Sequence, residues 1–236
     1  MSVNRKPIAL FALLALLAVI PNAQAVVLGP SGGPVAPDDF TGLPITGVAP
    51  GAFMLISPAV TPTFSGTVLS DVFIDGITGG LDFYYQYTGT ATTPDAVERV
   101  TAASFSSADG VFADPFGVGV GVDIGTRNDT AGIPILLASG FLPGTTNSST
   151  VTRGSGGSVV GFNFSPGITV PGNSFVLIVR THAPSFGIGN GAVIDSNSAN
   201  VAVWSPTPEP AFTGLMLGGL FAVGLFLTRR FRVSQS

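Results

Sequence analysis

Phe175-Val176-Leu177-Ile178-Val179-Arg180-Thr181 has no hydrophilic side. Successive side chains of a strand point to opposite faces, so Phe175, Leu177 and Val179 look one way and Val176, Ile178 and Arg180 the other. Both sets are mostly apolar, which places this strand inside a layered β structure. Working outward, Val118, Val120, Val122 and Ile124 alternate with Gly117, Gly119, Gly121 and Asp123, the two-residue period of a sheet with one buried face. Further candidate strands are 64–69, 71–74, 81–87, 99–105, 133–138, 158–164 and 200–204, separated by glycine- and proline-rich turns. No stretch between Phe64 and Trp204 has a sustained helical period, apart from one possible turn at 94–99. The expected fold is all-β, an antiparallel β-sandwich of about eight to ten strands, with Phe83, Phe162, Phe164, Leu177 and Val179 in its core.

The two ends read differently. Arg5 and Lys6 precede an apolar stretch at 8–20, and Ala23 and Ala25 offer small residues before Val26. That order is the pattern of a secretory signal helix over 1–25, cleaved by signal peptidase. Residues 26–62 are rich in proline and glycine and read as an arm in which only 52–56 could pair, at a sheet edge. The sandwich is expected over 63–204 and a tail over 205–236. In that tail Pro208-Glu209-Pro210 leads directly into an apolar segment, 211–228, followed by Arg229, Arg230 and Arg232 within the basic end 229–236. At ~1.5 Å per residue the segment spans roughly 26 Å as a helix, the depth of a bilayer's hydrocarbon core. The arginines would hold their end in the cytoplasm and the rest of the chain outside.

Between the two ends the charge is one-sided. Four arginines (99, 127, 153, 180) stand against eleven aspartates and Glu98, a formal net of −8, with no lysine. Such a surface argues against nucleic acid as a partner. The chain has no cysteine, so packing and hydrogen bonds alone must hold an exported domain.

The tail is similar to the PEP-CTERM sorting tail of exopolysaccharide-producing Gram-negative bacteria, with Pro208, Glu209 and Pro210 in the signature positions. Leu81 to Gln86, Val159 to Phe164, Phe175 to Thr181 and Val193 to Asp195 resemble segments of a recurring β-rich ectodomain of that family. The resemblance implies processing by an exosortase and a passage from a transient single-pass inner-membrane form to the cell surface or extracellular matrix. It implies no activity for the ectodomain.

Chemistry-bearing residues are sparse. His182 is the only histidine, so a serine triad would have to use it, and Ser155 lacks the glycine two residues ahead that a nucleophile elbow needs. It reads as a surface histidine at a strand end. Asp71 and Asp75 fall on one face of a strand but ~13 Å apart, too far for a shared carboxylate pair. Loops flanked by Asp109 and Asp114, and by Asp123 and Asp129, read first as capped turns, with calcium as the alternative. Tyr84, Tyr85, Tyr87 and Trp204 are candidates for a sugar-stacking face. The leading expectation is an exported non-enzymatic surface or exopolysaccharide-matrix protein, with no catalytic residues, cofactor or metal. The alternatives are a carbohydrate-binding module, calcium-dependent or not, and an aspartate-based hydrolase.

Overall fold

The structure is a computed structural model in which residues 27–28, 33–42, 45–46, 52–75, 79–90, 95–105 and 122–207 are described. The first sheet contains β1 (Val27–Leu28), β2 (Asp38–Asp39), β3 (Ile45–Thr46), β4 (Leu55–Val60), β5 (Ser65–Asp75), β6 (Leu81–Gly89), β8 (Val122–Arg127), β11 (Gly172–Asn173) and β12 (Val176–Arg180). The second contains β7 (Val97–Ala102), β9 (Thr150–Arg153), β10 (Val160–Ile168), β13 (Phe186–Ile194) and β14 (Ser198–Pro206), in the order β14-β13-β7-β10-β9. Pairing is antiparallel except between β2 and β8. The chain is therefore mostly β, in two sheets arranged as a sandwich, with fourteen strands among the described residues. The expected signal helix, and residues 208–236 with the expected membrane segment, lie outside the described residues, whereas Ser205 and Pro206, expected in the tail, belong to β14. No helix of the described residues is long and apolar enough to cross a membrane.

β12 sits between β8 and β6, with Ile178 opposite Tyr84 on one side and Gly125 on the other. Its two apolar faces feed two cores. Leu177 and Val179 join Val72, Phe83, Tyr85 and Ile124 against Val100, Phe162, Phe164, Val193 and Val203 of the second sheet. Val176 and Ile178 look outward and pack with Leu69, Phe73, Tyr84, Phe40, Leu136 and Phe141. All five residues expected in the core are in the inter-sheet layer.

What covers the outer face corrects the sequence reading. Residues 133–138, expected to be a strand, form the short helix α1 (Pro134–Ala138). Pro134 presets φ at the first helical position, and its missing N–H is one that no helix satisfies there. Gly140 stops the helix at φ +85°. The Phe141 N–H then bonds the Leu136 carbonyl at 3.0 Å and the Gly140 N–H the Leu137 carbonyl at 3.0 Å. This paired ending turns Leu136 and Phe141 together onto the sheet. The possible turn at 94–99 is also corrected, since β7 begins at Val97 and pairs there with Ile168.

The arm is more involved in the sheet than its prolines suggest. β1 and β2 pair with β8, and β3 and β4 with β5. Pairing was expected at 52–56, but β4 runs from Leu55 to Val60 and includes Pro58, which an edge strand tolerates. Strand β13 was not expected at all. Its glycines pack tightly, because a Cβ on Gly191 would lie 2.6 Å from the Thr101 carbonyl oxygen and one on Gly189 2.5 Å from Ser205 Oγ.

The outer edge of β14 faces the first sheet, and side chains answer its backbone. Ser57 Oγ donates to the Ala202 carbonyl at 2.7 Å and Tyr85 Oη to the Trp204 carbonyl at 2.7 Å. The Trp204 N–H donates to Ser70 Oγ at 3.0 Å. A buried strand edge would otherwise leave these groups without partners.

Candidate functional site

The outer face of the second sheet carries the groove of interest. Outward positions of β9, β10, β7 and β13 bring Thr150, Thr152, Asn163, Arg99 and Ile194 side by side. Arg99 donates from Nη1 to Asn163 Oδ1 at 2.7 Å and from Nη2 to Thr152 Oγ1 at 3.0 Å. Asn163 Nδ2 continues the ladder to Thr150 Oγ1 at 3.1 Å. The guanidinium sits over Gly161, where a Cβ would come within 2.6 Å of Arg99 Cζ; only glycine leaves that room. An open groove of about 380 Å³ runs beside it, lined by Glu98, Arg99, Asn163, Phe164, Ser165 and Ile194. Desolvation lowers the Arg99 pKa, yet a guanidinium remains charged at neutral pH. The groove thus offers a pre-oriented cation and an exposed carboxylate, with Ile194 beside them. Sequence reasoning missed it, because residues 99, 152 and 163 meet only through strand register.

The other expected residues fall elsewhere. Tyr85 and Tyr87 point into the inter-sheet core, and their hydroxyls are spent on the Trp204 and Ser65 carbonyls. Tyr84 points outward but is buried beneath the α1 segment, edge-on to Phe73 at 4.7 Å. The proposed stacking face of Tyr84, Tyr85, Tyr87 and Trp204 is therefore not assembled. Burial holds all three tyrosine hydroxyls above their ordinary pKa, that of Tyr87 pushed up to about 12. His182 is half-buried just past β12. Asp109 and Asp114 lie outside the described residues, as do the Asp75 and Asp123 side chains. No group of three His, Cys, Asp or Glu side chains suited to a metal occurs among the described residues. Ala23, Ala25, Val26, Pro208, Glu209, Pro210, Arg229, Arg230 and Arg232 likewise lie outside them.

Asp129 serves as an anchor. Burial opposes its ionisation, but Arg127 binds it in a fork, Nε to Oδ1 at 2.7 Å and Nη2 to Oδ2 at 2.9 Å. The Gly42 N–H adds a bond to Oδ2 at 2.7 Å, and together these hold the carboxyl below its ordinary range. The network locks the arm and the loop before α1 onto the sheet's outer face. Nearby, Asp82 faces Arg180 at 3.6 Å, and Arg180 lies 5.4 Å from the centre of the Phe40 ring.

Asp71 is the anomalous carboxylate, buried on the outer face with only 1% of its surface exposed. Burial raises its pKa, against the opposing effects of Ser139 and of the Val72 N–H, which donates to Oδ1 at 2.8 Å. A raised native pKa means that the unfolded chain gives up this proton first. The penalty is absent below the ordinary value of 3.8, grows as pH rises through the interval above it, and is complete beyond the native value. Asp71→Asn keeps the shape and the Oδ1 acceptor. It should stabilise the protein at pH 7, with the gain shrinking to nothing below pH 3.8; urea unfolding of both forms across pH 3–8 measures this. An equal effect at both ends of that range would rule out titration as the cause.

Compared with protein-family models, curated proteins and solved structures, the chain matches none.

Proposed function

We propose that this is an exported, non-enzymatic protein of the cell surface or exopolysaccharide matrix, whose tail is a sorting signal removed by an exosortase. The observation that supports the reading is that the last described strand lies directly ahead of the motif. β14 ends at Pro206, and the last backbone bond of the domain runs from the Thr207 N–H to the Ser185 carbonyl at 3.2 Å. Pro208-Glu209-Pro210 begins at the next residue, so cleavage there or beyond removes none of the described strands. The other end is compatible with the same reading, since β1, the first described strand, begins at Val27, one residue after the expected mature terminus. Prolines 208 and 210 cannot donate backbone hydrogen bonds, a composition that favours the extended backbone in which proteases bind substrates. In exosortase-deleted cells full-length protein should accumulate in the inner membrane, while wild-type cells should carry the ectodomain without residues 211–236. Mass spectrometry of both fractions decides it, and equal persistence of the full chain in both strains would make this an ordinary membrane anchor.

One observation supports a second reading, carbohydrate binding with the Arg99 groove as its site. A fixed guanidinium beside a carboxylate suits the hydroxyls and acidic groups of an exopolysaccharide. Arg99→Gln should weaken retention of the protein on host exopolysaccharide by about tenfold, the effect of losing one charged hydrogen bond. Unchanged retention, or loss on adding a chelator, would count against the groove.

A further inference from the structure

We infer that the domain rests on the membrane through an aromatic foot formed by Phe53, Phe186, Ile188 and Trp204. The four residues converge on one side of the β13–β14 ribbon. Ile188 stands directly opposite Trp204, and Phe186 directly opposite Pro206. The Phe186 and Trp204 ring centres are 5.3 Å apart, nearly perpendicular, and Phe53 meets Phe186 edge-on at 4.9 Å. Trp204 Nε1 donates to the Phe53 carbonyl, so the indole is fixed in place. The cluster is not closed over. Ile188 is 70% exposed and Phe53 37%, and an apolar patch left open at the end of a folded domain marks a contact surface.

Its place in the chain identifies the occupant. Phe186 lies across the ribbon from Pro206, the last residue of β14, and the apolar segment of the sequence begins at Ala211. Four residue steps from Thr207 reach at most ~14 Å, so a membrane-inserted tail holds this face of the domain within that distance of the bilayer. Aromatic side chains favour the boundary between headgroups and acyl chains. An acidic exported domain without lysine gains nothing from anionic headgroups, so the contact is apolar and suits zwitterionic lipid.

This inference rests on the reading of 211–228 as a membrane segment, and the test separates the two. Trp204 is the chain's only tryptophan and there is no cysteine, so both ends can be reported individually. The full chain is reconstituted in phosphatidylcholine vesicles carrying nitroxide labels at shallow or deep acyl positions. Ser234→Cys reports whether the tail crosses, by its protection from an impermeant maleimide until detergent is added. With the tail across, Trp204 emission should be quenched about threefold more strongly by the shallow label than by the deep one, and Ile188→Asp should at least halve that quenching. Protected Ser234→Cys with Trp204 unquenched by either label would overturn the foot alone. Immediate labelling of Ser234→Cys would overturn both readings. Shielding of Trp204 from aqueous quencher that vanishes on dilution into excess lipid would assign the patch to a second copy of the chain instead, and overturn the foot.

Discussion

Arg153→Ala is expected to destabilise the domain by about 3–5 kcal/mol, from the cavity left and the buried carbonyls deprived of their donor. Arg153 is 3% exposed and gathers three separate chain segments. Nε donates to the Gly157 carbonyl at 2.9 Å, Nη1 to the Leu28 carbonyl at 2.8 Å and Nη2 to the Phe105 carbonyl at 3.0 Å. These are the turn between β9 and β10, strand β1, and the chain just beyond β7. Truncation leaves three buried acceptors without this donor and a cavity in the same place. Lysine keeps the charge but lacks the planar fork, so Arg153→Lys should recover only part of the loss. Urea unfolding followed by Trp204 fluorescence measures both variants. A loss under about 1 kcal/mol for Arg153→Ala would mean that water replaces the guanidinium without penalty.

Leu177→Ala is expected to cost nearly as much, about 2–5 kcal/mol. The residue is fully buried in the central strand β12, between neighbouring strands on both sides and the second sheet in front. Two sheets held by their own hydrogen bonds cannot close on the space left behind. Ile178→Ala, on the other face of the same strand, should fall toward the lower end of that range, because the single segment carrying α1 can settle onto a smaller side chain. Circular dichroism melting of both variants compares the two layers directly. A larger loss at Ile178 than at Leu177 would show the outer layer to be the more rigid.

Much of this architecture was legible along the chain. The run 175–181 declared a strand buried on both faces, and the strand has a core on each side. The outer cover was harder to read. Ile133, Ile135, Leu136 and Leu137 look like strand residues when counted by hydrophobicity. The informative signal was Pro134 with Gly140 six residues on, a start and a stop for one helical turn and a half. Strand β13 was hidden because glycine at 187, 189 and 191 reads as turn chemistry. Its real cause is close packing, which depends on residues 101, 201 and 205 far away in sequence. The tyrosines at 84, 85 and 87 invited a sugar face because exposure cannot be read from residue type.

By itself, the sequence determined the β class, the two-sided strand, the core aromatics and the acidic, cysteine-free composition between the two ends. It also determined the order of proline-glutamate-proline, apolar segment and arginines on which the sorting proposal stands. These properties are local, set by the two-residue period of strands, the backbone limits of proline and glycine, and the transfer of apolar runs out of water. Only the tertiary structure decided what Arg99, Arg127 and Arg153 do, since the partner of each is assigned by strand register or by loops meeting across the sandwich. The first lies over Gly161 in an open groove, the second clamps Asp129, and the third ties three segments together from within. An arginine in a sequence is one charge and five donors. Which acceptors lie within 3 Å of it is a property of chain crossings that no local pattern encodes.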